Sequence, residues 1–244
     1  MSANQERSYK LFCCDSRQQL KNFSDKYFDC ILTDPPYALG FDYGATYKDT
    51  PENLQDLIVQ CLPEMRRISK RVAILSGITP MWNYPKPDWT LCICWNTTGS
   101  HGYYGYTQWL PVLMYGQDLK GIGKINNVLK SDMHFINGGG SVGFQRTILE
   151  KEHCCPKPLG VIEWLIKRLT LKGDLVLDPF GGSGTTMEAC QRLDRSCWTI
   201  EINKDFTDII KKRCWGIKTI NGSVDYEFSV NPSTPFILSD VKKE

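Results

Sequence analysis

Two kinds of apolar pattern alternate along the chain. Short apolar runs at residues 9–14, 28–32, 71–76, 89–95, 108–115, 175–177 and 196–200 have the length and texture of strands, most of them buried. Between them apolar residues recur at helical spacing. Leu20 and Phe23 mark a short helix over 16–23, and Leu54, Leu57, Ile58, Cys61, Leu62 and Met65 mark a longer one over 50–69. Thr50 followed by Pro51 is a helix start, and Pro63 is expected to kink that helix or end its regular part. Leu159, Ile162, Leu165, Ile166 and Leu169 predict a helix after Pro158, and 186–193 and 204–214 predict two more. Strands and helices in turn predict an α/β domain. Residues 38–47 and 96–105 read as loops, and Pro111 places its strand at an edge or a bulge. Asn221-Gly222 is a hairpin signal within 217–230, and 231–244 read as a loose tail. No internal repeat is present.

Chemistry first shows where the run at 28–32 ends, at Thr33-Asp34-Pro35-Pro36-Tyr37. Pro35 holds Asp34 extended and each proline fixes its own φ, so this loop is stiff. With no N–H on either proline, it offers carbonyl acceptors and a carboxylate beside an aromatic face. That set suits an exocyclic amine on a planar base, whose two hydrogens need acceptors and whose ring needs a stacking partner. A turn carrying a surface tyrosine is the alternative for the tetrapeptide alone. A second cluster follows the strand at 175–177: Asp178-Pro179-Phe180-Gly181-Gly182-Ser183-Gly184-Thr185-Thr186. A strand, a glycine loop and a helix start bring backbone N–H groups to one point. No lysine follows the last glycine, which excludes a phosphate-binding loop of the G-x-x-x-x-G-K type.

Together the two motifs resemble those of the S-adenosylmethionine-dependent amino-methyltransferases of DNA, with the catalytic tetrapeptide first, as in the β-type motif order. The resemblance implies a Rossmann-like class I methyltransferase fold, an α/β domain with a mainly parallel sheet and permuted motif order. It implies methyl transfer from S-adenosylmethionine to the exocyclic amine of a flipped base in double-stranded DNA. Asp34, Pro35, Pro36 and Tyr37 would be catalytic, with N6 of adenine favoured and N4 of cytosine the alternative. The cofactor would meet Phe180, Gly181, Gly182, Ser183, Gly184, Thr185 and Thr186, with Asp178 accepting from its ammonium or orienting the loop. Glu201, at the end of the 196–200 strand, would take ribose hydroxyls with Asn203 nearby, as acids do there in dinucleotide-binding folds. Asp15 would accept from the adenine amino group; its alternative is an ordinary helix N-terminal aspartate. Lys157, before Pro158, resembles the segment that closes over the cofactor. His153 is not assigned as a base.

Composition narrows the context. A net charge of +2 over 244 residues gives no global basic signature, so any nucleic-acid footprint must be local. Residues 116–151, with interspersed glycines and Lys120, Lys124, Lys130 and Arg146, are the candidate target-recognition insert of a single domain spanning 1–244. The eleven cysteines contain no C-x-x-C, which argues against zinc, and so many free thiols suit a reducing cytoplasm. No apolar run is long enough for a membrane and no signal-peptide pattern is present. The resemblance leaves open a homodimer, a restriction-enzyme partner, and a non-catalytic DNA-binding relative.

Overall fold

The structure is a computed structural model describing residues 7–43, 47–94, 101–102, 105–106, 109–116, 128–129, 157–221 and 224–227. In chain order its strands are β1 (Tyr9–Cys13), β2 (Cys30–Thr33), β3 (Val72–Leu75), β4 (Trp89–Cys94), β5 (His101–Gly102), β6 (Gly105–Tyr106), β7 (Trp109–Tyr115), β8 (Val128–Leu129), β9 (Leu175–Asp178), β10 (Ser196–Glu201), β11 (Lys218–Asn221) and β12 (Val224–Glu227). The helices are α1 (Ser16–Gln19), α2 (Pro51–Ile68), α3 (Leu159–Leu169), α4 (Thr185–Arg192) and α5 (Lys204–Arg213). Ten strands form one sheet in the order β12-β11-β1-β10-β9-β2-β3-β7-β4-β8. The stretch from β11 through β3 is parallel throughout, and β7 runs antiparallel to both β3 and β4.

Two βαβ runs build the parallel part. One is β1-α1-β2-α2-β3 and the other is β9-α4-β10-α5-β11, and they meet where β2 pairs with β9. Neighbouring side chains along each strand enter opposite layers, as strand geometry requires. Leu11, Leu32, Ala73, Leu75 and Val176 pack with α3, α4 and Ile210 of α5 on one face. Phe12, Ile31, Val72, Ile74 and Leu177 pack with the apolar stripe of α2 on the other. Burial on both faces explains why these strands read as unbroken apolar runs rather than alternating ones.

Thr50 caps α2, its hydroxyl accepting from Asn53 N–H at 3.3 Å, and Pro51 opens it. The helix does not end at Pro63 but continues to Ile68. Pro63 and Val59, whose carbonyl loses its helical donor, lie on the exposed face, where solvent can take that bond. Pro111 is likewise not on an edge strand: β7 is flanked by β3 and β4. The Pro111 carbonyl accepts from Ser76 N–H at 3.0 Å, so its missing N–H faces the point where β3 has ended. The expected loop over 96–105 contains the short β5–β6 pair. β11 and β12 pair antiparallel across the Asn221-Gly222 signal. His153, the tail at 231–244 and all of 116–151 except Gly116 and the backbone of β8 lie outside the described residues. No helix among the described residues is long and apolar enough to cross a membrane.

Candidate active site

Four adjacent strands, β1, β10, β9 and β2, each deliver a carboxylate at or just beyond their carboxyl ends: Asp15, Glu201, Asp178 and Asp34. Ligands in open α/β sheets bind outside those ends, where the two runs diverge. Here that edge is an open cleft with about 1110 Å³ of empty space, its mouth included. Every candidate site residue lines it except Gly184, which forms the turn into α4.

One side of the cleft is built around the glycine loop. Asp178 is buried; its Oδ1 accepts from Thr33 Oγ1 at 2.7 Å and from Phe180 N–H at 3.1 Å. Burial pushes its carboxyl up to about 6, against the hydrogen bonds from Thr186, Thr33 and the Phe180 N–H. Thus Asp178 orients the loop from beneath. Glu201 holds it from the side: Oε2 accepts from Gly182 N–H at 2.7 Å and Oε1 from Asn203 N–H at 2.8 Å. Burial drives Glu201 up to about 7, opposed mainly by those same N–H donors. Gly181 packs so closely on β10 that a Cβ would sit 2.3 Å from Thr199 Cγ2, and Gly184 turns with φ +81 before α4. Arg213, at the end of α5, ion-pairs with Glu188 of α4 and donates to Ser183 Oγ at 3.1 Å, fixing the loop from its far side.

On the other side, Tyr37 Oη donates to Asp34 Oδ1 at 2.6 Å, and Lys157 Nζ pairs with Asp34 Oδ2 at 2.7 Å. Lys157 therefore stands on the Asp34 carboxylate. Asp15 caps α1 and is held by its neighbour: Arg17 donates through its backbone N–H at 2.8 Å and through Nη2 at 2.6 Å, while Nη1 reaches Asp56 at 2.8 Å. Ser16 Oγ donates to the Pro179 carbonyl, tying the start of α1 to the glycine motif.

Several functional positions were not apparent in the sequence. Asp49 is buried and accepts from the N–H groups of Ala38 (2.7 Å), Leu39 (2.9 Å) and Phe41 (3.1 Å), which fastens the loop after Tyr37. Asn203 Nδ2 donates to the Tyr43 carbonyl at 2.9 Å, joining that loop to β10. Tyr47 lines the cleft, and its Oη is buried with no hydrogen-bond partner among the described residues. The aromatic texture of 38–47 was the available signal for Tyr47; nothing marked Asp49 or Arg17.

Residues 107–212, which include the glycine loop, match the sequence model of the N6/N4 DNA methylase family. Across 240 residues the chain is 28% identical to the type II methyltransferase M.HpaI of Haemophilus parainfluenzae, covering 84% of this chain and 73% of that protein. In sequence, then, this chain resembles the N6/N4 DNA methylases. Solved methylase structures share its fold. The PvuII DNA methyltransferase (cytosine-N4-specific) superposes with a TM-score of 0.64 at 14% identity, over 87% of this chain and 90% of that one. The M1.HpyAVI–SAM complex gives 0.57 at 21% identity, over 84% and 98%. The sheet order thus agrees with the class I methyltransferase fold expected from the two motifs.

Proposed function

We propose that this chain transfers a methyl group from S-adenosylmethionine to N6 of adenine in double-stranded DNA. The observation that carries the reading is the meeting of residues 34–37 and 178–186 in one cleft, at the tips of the paired strands β2 and β9. The lining fits the cofactor: Asp178 and Glu201 stand beside the glycine loop, and Tyr47, which also lines the cleft, has a buried hydroxyl with no partner among the described residues. When bound, S-adenosylmethionine supplies an electrophilic methyl on a sulfonium. Glu201 would accept from its ribose hydroxyls, with Asn203 beside it. Phe180, Gly181, Gly182, Ser183, Gly184, Thr185 and Thr186 would enclose it, and Asp15 would share its carboxylate between Arg17 and the adenine amino group.

A duplex hides the target nitrogen, so the base must leave the stack, at a cost of about a few kcal/mol. Asp34 and the Pro35 carbonyl would accept the two amine hydrogens while Tyr37 stacks on the ring and Pro36 keeps the loop rigid. Held by the glycine loop and Glu201, the cofactor would give its methyl to the nitrogen lone pair and keep the electrons of the carbon–sulfur bond. The surplus amine proton passes to the Asp34 carboxylate. Much of the acceleration comes from holding nitrogen, carbon and sulfur in line. The insert at 116–151 would read the target sequence within this single domain, in a cytoplasmic setting. Incubation of unmethylated DNA with labelled cofactor, followed by sequencing that detects modified bases, tests the reading. N6-methyladenine is expected; N4-methylcytosine would move the choice of base, and DNA binding without transfer would overturn the reading.

A further inference from the structure

Asp34 is the acceptor the proposed reaction needs, and both its oxygens are engaged. Tyr37 Oη holds Oδ1 and the Lys157 ammonium holds Oδ2. That ammonium also lies 4.8 Å from the centroid of the Tyr37 ring, on a side chain only 12% exposed. One cation therefore covers both features a base would use, the carboxylate that takes its N–H groups and the aromatic face on which it stacks. Lys157 enters from the segment just before α3, not from the 34–37 loop. Its flexible four-carbon stem can swing away while Asp34 and Tyr37 stay in place.

The lysine charge is also wrong for the chemistry. As the amine accepts a methyl, positive charge grows on its nitrogen, and the negative charge of Asp34 favours that change. An ammonium already on Oδ2 cancels the benefit. We propose that Lys157 is a placeholder for the target amine, and that its displacement makes the pocket selective for amino-bearing bases. The proposal rests on the functional reading above and extends it to substrate choice. Adenine and cytosine bring N–H donors to replace those of the ammonium on Asp34, and a ring to replace it over Tyr37. Thymine presents a carbonyl at the matching position, which would face the carboxylate as acceptor against acceptor.

The test measures binding of 2′-deoxyadenosine, 2′-deoxycytidine and thymidine by saturation-transfer NMR, with S-adenosylhomocysteine saturating the cofactor side. In K157M at least one amino nucleoside should bind about tenfold more tightly than in the unaltered protein, thymidine should gain nothing, and K157R should match the unaltered protein. S-adenosylhomocysteine affinity should stay within about twofold, which also verifies folding. Failure of both K157M and K157Q to tighten either amino nucleoside would overturn the proposal. So would equal tightening of thymidine, the behaviour of a steric plug, or a large loss of S-adenosylhomocysteine affinity, the behaviour of a cofactor ligand. Absence of methyl transfer to DNA by the unaltered protein would sink the functional reading separately, because nucleoside exchange is read without turnover.

Discussion

Replacing Glu201 with glutamine isolates the electrostatic cost of the carboxylate beside the glycine loop. Glu201 is 8% exposed, and burial raises its carboxyl from 4.5 to about 7. The folded protein therefore holds this proton more tightly than the unfolded chain does. Stability from this group is complete below about pH 4.5 and is lost as pH rises to about 7. A difference of about 2.5 pH units at about 1.36 kcal/mol each amounts to about 3 kcal/mol. Glutamine removes the titration but faces its amide NH₂ toward one of the two backbone donors, costing about 1–3 kcal/mol at every pH. Urea unfolding of E201Q and the unaltered protein, without cofactor, at pH 4.5 and pH 8 gives the comparison. The variant's stability relative to the unaltered protein should move in its favour by about 3 kcal/mol between the two. Asp178 titrates in both proteins and largely cancels. Ribose hydroxyls would favour the ionised glutamate, so cofactor affinity should rise as pH passes about 7, and E201Q should flatten that rise. A stability difference independent of pH would refute the reasoning.

Three further substitutions probe separate parts of the site. Asp34→Ala should abolish methyl transfer and leave cofactor affinity largely intact, as equilibrium titration will show; equal loss of both would contradict the division of the cleft. Gly181→Ala forces a methyl to 2.3 Å from Thr199 Cγ2 and should lower stability by about 1–3 kcal/mol in thermal unfolding, weakening cofactor binding as the loop shifts. Arg213→Ala leaves Glu188, among the described residues, with the partly exposed Arg192 as its ion-pair partner and strips a donor from Ser183. It should cost about 2–3 kcal/mol in urea unfolding, with cofactor affinity falling more than DNA affinity.

The strands that end in acids were legible because burial on both faces writes an unbroken apolar run, and the polar residue that ends it stands out. Asp34, Asp178 and Glu201 were found in that way, and the glycine loop by its own spacing. The two prolines misled because their effect depends on direction. Pro63 turns its lost hydrogen bond to solvent and Pro111 turns its missing N–H past the end of β3, and neither orientation is written in the local sequence. Pairings between distant segments were equally invisible. Lys157 on Asp34 and Arg213 on Ser183 each join parts of the chain that only the folded sheet brings together, whereas Asp49 beneath Ala38 closes a loop across eleven residues. Asp15 with Arg17 is the local exception, where a capping aspartate and its neighbour form an ion pair two residues apart.

The position of β1 has a consequence for how the chain is made. Although it is the first of the described strands in chain order, its neighbours in the sheet are β10 and β11, so Tyr9 waits for Cys197 as its partner. During translation that strand leaves the ribosome with neither edge protected, and the chain through β10 must follow before it can dock. A product lacking the last strands would carry residues 34–37 on an incomplete sheet, without the glycine loop that faces them across the cleft.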